Sequence, residues 1–433
     1  MRINHNIQAL NAYRQLSNNQ NAVSKHMEKL SSGLRINRAS DDAAGLAISE
    51  RMRSQIRGLT VAERNGLDGV SLIQTAEAAL DSVHEMLQRM RELSVQSANG
   101  IYTEQDRNAL QDEVDELIKE IDRVAGHTEF NTRKLLNGNM GRAVSGAVAN
   151  IQTNSLVTSM GSAFNASADL INLADRAGNK FGVVSGDTVQ LSFVVNGKLL
   201  QTSGIKITNS TTFNDVIGAV AVKDMNGASC GNVSGYFKLT VSGTKLNFTA
   251  LSGGYAKAVY GITFTFRDAQ GIMKTPATDA LSSFHETRQA LVSRPPGDAT
   301  LQIGPNTNQH LGLEIGDVTS AALGLKSYSG AEFSIKINTQ QDANVAIKVF
   351  DEAIAKISKE RSKLGAFQNR LEYTINNLKV ANESLTAAES RIRDTDMAME
   401  MTEFTKQNII TQSATAMLAQ ANQLPQGILQ LLK

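Results

Sequence analysis

Seven apolar residues recur at every seventh position along one stretch of the chain: Phe350, Ile357, Leu364, Leu371, Leu378, Leu385 and Ile392. Ile354 and Ile375 fill the second apolar slot of that repeat, while Arg361, Gln368, Asn382 and Glu389 leave it polar. Apolar residues kept in register over six heptads specify one long helix with a coiled-coil seam. At about 1.5 Å per residue the six heptads span roughly 60 Å, too long for a helix inside one compact globule.

Other stripes share the helical period. After the seam come Ile410, Ala414, Met417, Ala421, Leu424, Ile428 and Leu431, at alternating spacings of three and four. Near the N-terminus stand Ala9, Tyr13, Leu16, Gln20, Val23, Met27, Leu30 and Leu34, with Gln20 the polar exception. Ile73, Ala76, Leu80, Val83, Leu87 and Met90 form another stripe. Leu110, Val114, Leu117, Ile121 and Val124 form one more, beyond the turn-like Asn99-Gly100. Any single stripe is equally compatible with ordinary helical core. The outermost pair is different, because each is an amphipathic arm of about 35–40 residues and a lone helix of that kind is marginal in water. The arms need a partner, most simply each other and further copies of the chain. Self-assembly follows.

Between the helical ends the composition changes. Residues 141–298 hold 18 of the 33 Gly but only 22 charged residues, and four of the five Pro fall between 276 and 305. Thr188–Val195 before Asn196-Gly197 is a strand entering a tight turn. Phe237–Val241 before Ser242-Gly243, and Ile262–Phe266, alternate with the strand period of two. Thr211–Ile217 has the pattern of a short capped helix. The expected fold is therefore mainly α: a long antiparallel coiled-coil-like rod built from the N- and C-terminal segments, with a β-rich α+β region inserted in its middle.

Several function classes are excluded or unsupported. Lys+Arg 43 against Asp+Glu 42 gives a net charge of +1, with no electrostatic case for nucleic acid or an acidic membrane. One Cys rules out a disulfide framework within the chain and a multi-Cys zinc site. No run approaches 18 apolar residues, so membrane insertion is not expected. His84-Glu85 and His285-Glu286 both lack the second His at i+4 that an HExxH zinc helix needs, and the remaining His are scattered. There is no GxxxxGK[ST] loop and no GxSxG turn. No catalytic residue, metal site or cofactor is expected. Cys230, in a turn-rich stretch, is an incidental small thiol or an exposed one able to cross-link neighbouring polymers. The Met residues, Met397, Met399 and Met401 among them, suit adaptable packing at contacts between copies.

Short strings at both ends resemble the bacterial flagellins, subunits of the flagellar filament. They are Ile3–Asn6, Leu30–Asn37, Asp41–Ile48, Gln88–Leu93, Gln96–Asn99, Glu120–Val124, Phe130-Asn131, Ser390–Asp396, Leu418–Asn422 and Pro425–Lys433. Their order and their position at the two extremes make the resemblance specific; it covers about 1–140 and 299–433. It implies an inner domain from 1–44 and 393–433 forming the filament's core tube. It further implies a helical rod with a small β-hairpin from 45–140 and 299–392, and a variable outer surface region from 141–298. Thr300–Gly304 and His310–Ile315 are the strands expected for the hairpin.

The resemblance also implies roles for individual residues. The polymerisation core is Ala9, Tyr13, Leu16, Val23, Met27, Leu30, Leu34, Ile410, Ala414, Met417, Ala421, Leu424, Ile428 and Leu431. Ser31, Ser32, Gly33, Ser40, Asp41 and Asp42 suit the connection between arm and rod, since Gly33 weakens a helix by about 1 kcal/mol and Ser or Asp caps the next one. Arg89, Leu93 and Glu113 resemble the surface read by the Toll-like receptor for flagellin, although the same residues also suit rod packing. Leu429, Leu431 and Leu432 resemble the end read by cytosolic sensors and covered by the flagellar secretion chaperone. Further partners implied are the export apparatus, the filament cap and the hook–filament junction proteins. Export without a cleaved signal peptide to an extracellular filament would explain the absence of an apolar leader in Met1–Asn6. The alternatives are the junction protein itself, or a filament protein whose insertion 141–298 is a displayed binding or enzymatic module.

Overall fold

A computed structural model of the chain describes residues 6–141, 143–159, 167–175, 178–218, 220–224, 229–242, 245–294, 297–328 and 334–431. Its helices are α1 (Ile7–Ser32), α2 (Ala43–Ser97), α3 (Glu104–His127), α4 (Phe213–Ile217), α5 (Thr275–Ser282), α6 (Ser320–Leu323), α7 (Gln340–Arg393) and α8 (Met397–Leu431). Long helices occupy both ends and the strands lie almost wholly between α3 and α6, the α-dominated fold with a β-rich insertion that the pattern predicts. Within the described residues the chain falls into two compact units, one from 1–67, 302–310 and 373–433, the other from 68–301 and 311–372. Helices α2 and α7 contribute to both.

The heptad seam is the buried edge of α7. Phe350, Ile357, Leu364 and Leu371 are buried in the larger unit, as is Leu378 in the smaller, where it packs with Leu59, Ala62 and Leu385. The stripe from Ile73 to Met90 on α2 is fully buried, with Leu72 and Leu93 extending it. On α3 the stripe is rotated by about one residue, and the buried set is Gln111, Val114, Ile118, Ile121 and Ala125. Polar Gln111 earns its buried place because its side chain pairs with backbone. It donates to the Ile335 carbonyl at 3.0 Å and accepts from the Ile337 N–H at 2.7 Å, and a buried polar group so paired carries no desolvation deficit. A capping box of Thr103 and Asp106 starts α3.

Two larger antiparallel sheets dominate the insertion, beside a two-stranded one of Val157–Ser159 and Leu173–Asp175. One runs Ser229–Asn232, Ala221–Asp224, Lys198–Thr202, Thr188–Val195, Val259–Arg267, with Ile205–Lys206 also pairing the fourth strand. The other runs Phe237–Ser242, Lys245–Ala250, Ile151–Asn154, His285–Arg288. Asn196 and Gly197 both take positive φ, 54° and 72°, the mirror-image turn whose twist matches a hairpin. Between the sheets lies a cluster of buried aromatics, Phe193, Phe213, Phe237, Phe248, Phe264, Phe266 and Phe284. Their rings meet edge to face or tilted, with centroids 4.9–6.2 Å apart. The capped helix expected near 211–217 is α4, carrying its own capping box of Thr212 and Asp215.

The two strands expected after residue 299 are Ala299–Gln302 and His310–Leu313, paired as a separate two-stranded sheet. Gly58 of α2 allows the backbone of Pro305 to come close; a Cβ there would sit 2.8 Å from Pro305 Cβ. Cys230 lies on the strand Ser229–Asn232 rather than in a turn. It is half-buried, with Lys198 Nζ 3.8 Å from its sulfur.

Candidate functional site

Helices α1 and α8 lie side by side and antiparallel. Asn6 Nδ2 donates to the Ala421 carbonyl at 2.8 Å, and Gln407 Nε2 donates to Asn19 Oδ1 at 3.1 Å. His26 Nδ1 lies 2.6 Å from Glu400 Oε1, and Leu34 bridges to Asp394. Along this series residue numbers climb on one helix as they fall on the other. Asn6 caps α1 by accepting from the Ala9 N–H, and Asp396 accepts from the N–H groups of Ala398 and Met399 at the start of α8.

Among the described residues, only part of each predicted stripe faces inward. On α1 the buried or half-buried line is Ala9, Ala12, Leu16, Asn19, Val23, His26 and Leu30. On α8 it is Glu400, Phe404, Gln407, Thr411, Ala414, Leu418 and Ala421. The structure thus brings together Ala9, Leu16, Val23, Leu30, Ala414 and Ala421 from the expected set, and Leu34 joins them through its bridge. Tyr13 and Met27 are 63% and 55% exposed, and Ile410 and Met417 are 39% and 62% exposed. The seam reads as polar where Asn19 meets Gln407 and His26 meets Glu400, so an apolar count overlooks those positions. The side chains of Leu424, Ile428, Leu429 and Leu431, and all of Leu432, lie outside the described residues.

With the inward line occupied, apolar side chains remain exposed on both helices of the pair. Ile7, Leu10, Tyr13, Met27, Met397, Met399, Met401, Ile409, Ile410 and Met417 are all exposed.

The connection between α1 and α2 is built from the residues the sequence singles out. Gly33, at φ 72°, ends α1 with its N–H on the Lys29 carbonyl, in a conformation that favours glycine. Ser32 Oγ accepts from the Leu34 N–H and from Asn37 Nδ2, holding the next residues in a turn. Asp41 accepts from the N–H groups of Arg38 and Asn37, and the Arg38 bond foremost holds its carboxyl below the usual range. Asp42 accepts from the Gly45 N–H and so caps α2. Ser31 and Ser40 are exposed. The far side of the connection is fastened too: the Arg35 N–H donates to the Arg393 carbonyl and the Thr395 N–H to the Gly33 carbonyl. Arg393, itself buried, pairs with Glu50.

Of the three residues compared with a receptor surface, Arg89 and Glu113 are half-exposed and paired at 2.8 Å. Leu93 is only 1% exposed, as part of the buried α2 stripe. This corrects its assignment as a contact, because the side chain offers no surface. Among the described residues no cluster of three or more His, Cys, Asp or Glu has the geometry to hold a metal ion. No helix of the structure is long and apolar enough to cross a membrane, among the residues described.

Comparison with known proteins matches both ends of the chain. Residues 3–140 match the family model for the bacterial flagellin N-terminal helical region, and residues 347–432 match that for the bacterial flagellin C-terminal helical region. Flagellin of Clostridium tyrobutyricum is 43% identical over 429 residues, 98% of this chain and all of that protein. Flagellin of Bacillus subtilis is 38% identical over 435 aligned residues, and the flagellar filament 33 kDa core protein of Treponema phagedenis is 36% identical over 433. Both of these alignments cover the full length of each chain. Two family models in the right order, full-length relatives at this identity and the paired terminal helices agree: the chain belongs to the bacterial flagellin family and is a structural subunit of the flagellar filament.

Proposed function

We propose that this filament subunit polymerises through the apolar side chains left exposed on its α1–α8 pair. The observation carrying this reading is that Ile7, Leu10, Tyr13 and Met27 on one helix, and Met397, Met399, Met401, Ile409, Ile410 and Met417 on the other, stay exposed although the helices already pack together. A contact of this kind, repeated head to tail without closing a ring, generates an open helical polymer. Residues 1–44 and 393–433 form the inner tube, 45–140 and 299–392 the rod, and 141–298 the outer surface. The near-neutral charge balance lets identical subunits accumulate without mutual repulsion. The chain performs no catalysis in this role. Purified full-length chain added to filament seeds is expected to grow long helical filaments in electron micrographs. Growth limited to a short zone at the seed end would instead favour the junction protein.

In this reading the chain leaves the cell unfolded through the flagellar export apparatus, without loss of a leader. A secretion chaperone covers the C-terminal arm, including Leu429, Leu431 and Leu432, before export. Cap and junction proteins meet the filament at its ends. Where a host is present, Arg89 and Glu113 offer a charged, half-exposed patch to the Toll-like receptor. Arg89→Ala is expected to weaken receptor signalling by purified monomer roughly tenfold, the effect of losing about 1.4 kcal/mol at an interface. Equal signalling by the two proteins would remove Arg89 from the contact.

A further inference from the structure

Where both sheets of the insertion meet α7, two carboxylates crowd one ammonium with little exposure to solvent. Glu352 on α7 and Glu286 on the strand His285–Arg288 flank Lys356; Glu352 and Lys356 are buried, and the Glu286 side chain is nearly so. Lys356 Nζ lies 2.9 Å from Glu286 Oε2, 3.3 Å from the Ala322 carbonyl and 4.3 Å over the ring of Tyr260. The ammonium is thus committed to Glu286. Glu352 receives the amide of Gln152 on Oε2 at 3.0 Å and a long contact of 3.5 Å from the Gly261 N–H. Its Oε1 has no hydrogen-bond partner among the described residues.

Gln152 belongs to one sheet and Gly261 to the other, so this carboxyl joins both to α7. Gly261 takes φ 60° where its strand nearly touches the helix; a Cβ there would lie 2.6 Å from Val349. Such a close approach leaves no room to solvate a charge from that side. Beside the group is a cavity of about 220 Å³ lined by Glu352, Glu286 and Lys356, with Lys348, Asp351 and exposed Lys359 among its other lining residues. That volume holds several waters, enough to carry a proton in or out.

We propose that Glu352 is a proton-operated latch, neutral when it clamps the two sheets to α7 and loosening that seat when it ionises. A buried carboxylate facing a second carboxylate that already holds the nearest ammonium is disfavoured as an anion, whereas the acid form tolerates the same site. Every charged or titratable group around it enters the balance. Lys356 and the more distant Lys348 favour ionisation; Glu286 opposes it; the Tyr260 phenol stays neutral, pushed up chiefly by its burial. Desolvation outweighs the lysines and moves Glu352 from 4.5 to about 7. The folded value is raised, so the stability it contributes is complete below 4.5 and is lost as pH rises through about 7.

The test is hydrogen exchange of the full-length monomer between pH 5 and pH 8.5, corrected for intrinsic rates. Amides of Val259–Arg267 and His285–Arg288 should open roughly fifty- to a hundredfold more readily at the upper pH, the population shift a pKa displacement of this size entails. Glu352→Gln, neutral at every pH, should abolish that dependence. The same dependence in both proteins would overturn the proposal. A second readout needs no variant: with carboxyl-labelled glutamate in the native chain, one resonance should titrate near 7. If all titrate in the ordinary glutamate range, Glu352 is no latch.

Discussion

A chain ending at Asp396 is expected to add no subunits to filament seeds, although its β-rich insertion folds and melts as in the full-length protein. The truncation removes α8, the helix against which α1 packs. Leu16 is the one buried residue of α1; without α8 it faces water, and a lone helix of 26 residues has little stability of its own. Six of the ten exposed apolar side chains go as well: Met397, Met399, Met401, Ile409, Ile410 and Met417. Both the pair and its outward surface are lost, so loss of assembly should be essentially complete. Sedimentation after seeding checks this, with circular dichroism reporting whether the rest of the fold survives. Normal growth of the truncated chain would rule out the mechanism.

Phe248→Ala should lower the stability of the larger unit by about 3–5 kcal/mol, the usual cost of removing a buried aromatic ring from a core. The Phe248 ring has centroids at 4.9 Å from Phe237, 5.0 Å from Phe284 and 6.2 Å from Phe264. Strands from both sheets and the segment preceding His285 therefore lose a shared neighbour at once. Because whole domains are stable by only about 5–15 kcal/mol, this loss is a large share of the total. Phe248→Leu keeps most of the volume and should cost much less. Urea unfolding of both variants measures the difference; equal, small losses would mean that the cluster contributes little.

What the sequence made legible depended on whether burial was apolar. The seven-residue repeat from Phe350 to Leu378 on α7 and the Ile73–Met90 stripe could be read because the repeating positions carry buried hydrophobic side chains. The strand Thr188–Val195 and its Asn196-Gly197 turn were equally readable, since that turn geometry needs positive φ and those residues supply it. The α3 stripe came out rotated because Gln111 is buried through bonds to backbone that arrives from residues 335–337. The α1–α8 seam was only half visible for the same reason: Asn19, His26, Glu400 and Gln407 do part of its packing. Tyr13, Met27, Ile410 and Met417 fit the helical period but turn outward. Leu93 belonged to a matching string, yet its side chain points into the core. Nothing local marks Glu352, whose partners come from strands about 90 and 200 residues away along the chain.

The central claim is that α1 and α8, paired antiparallel, form the contact surface of the polymer. A helical reconstruction by electron cryomicroscopy of filaments grown from the full-length chain tests it most directly. The account predicts two antiparallel helices per subunit at the innermost radius, with Tyr13, Met27, Ile410 and Met417 packed against neighbouring copies and residues 141–298 in the outermost density. Filaments in which those four side chains face solvent, or in which α1 and α8 lie apart or on the outer surface, would contradict it.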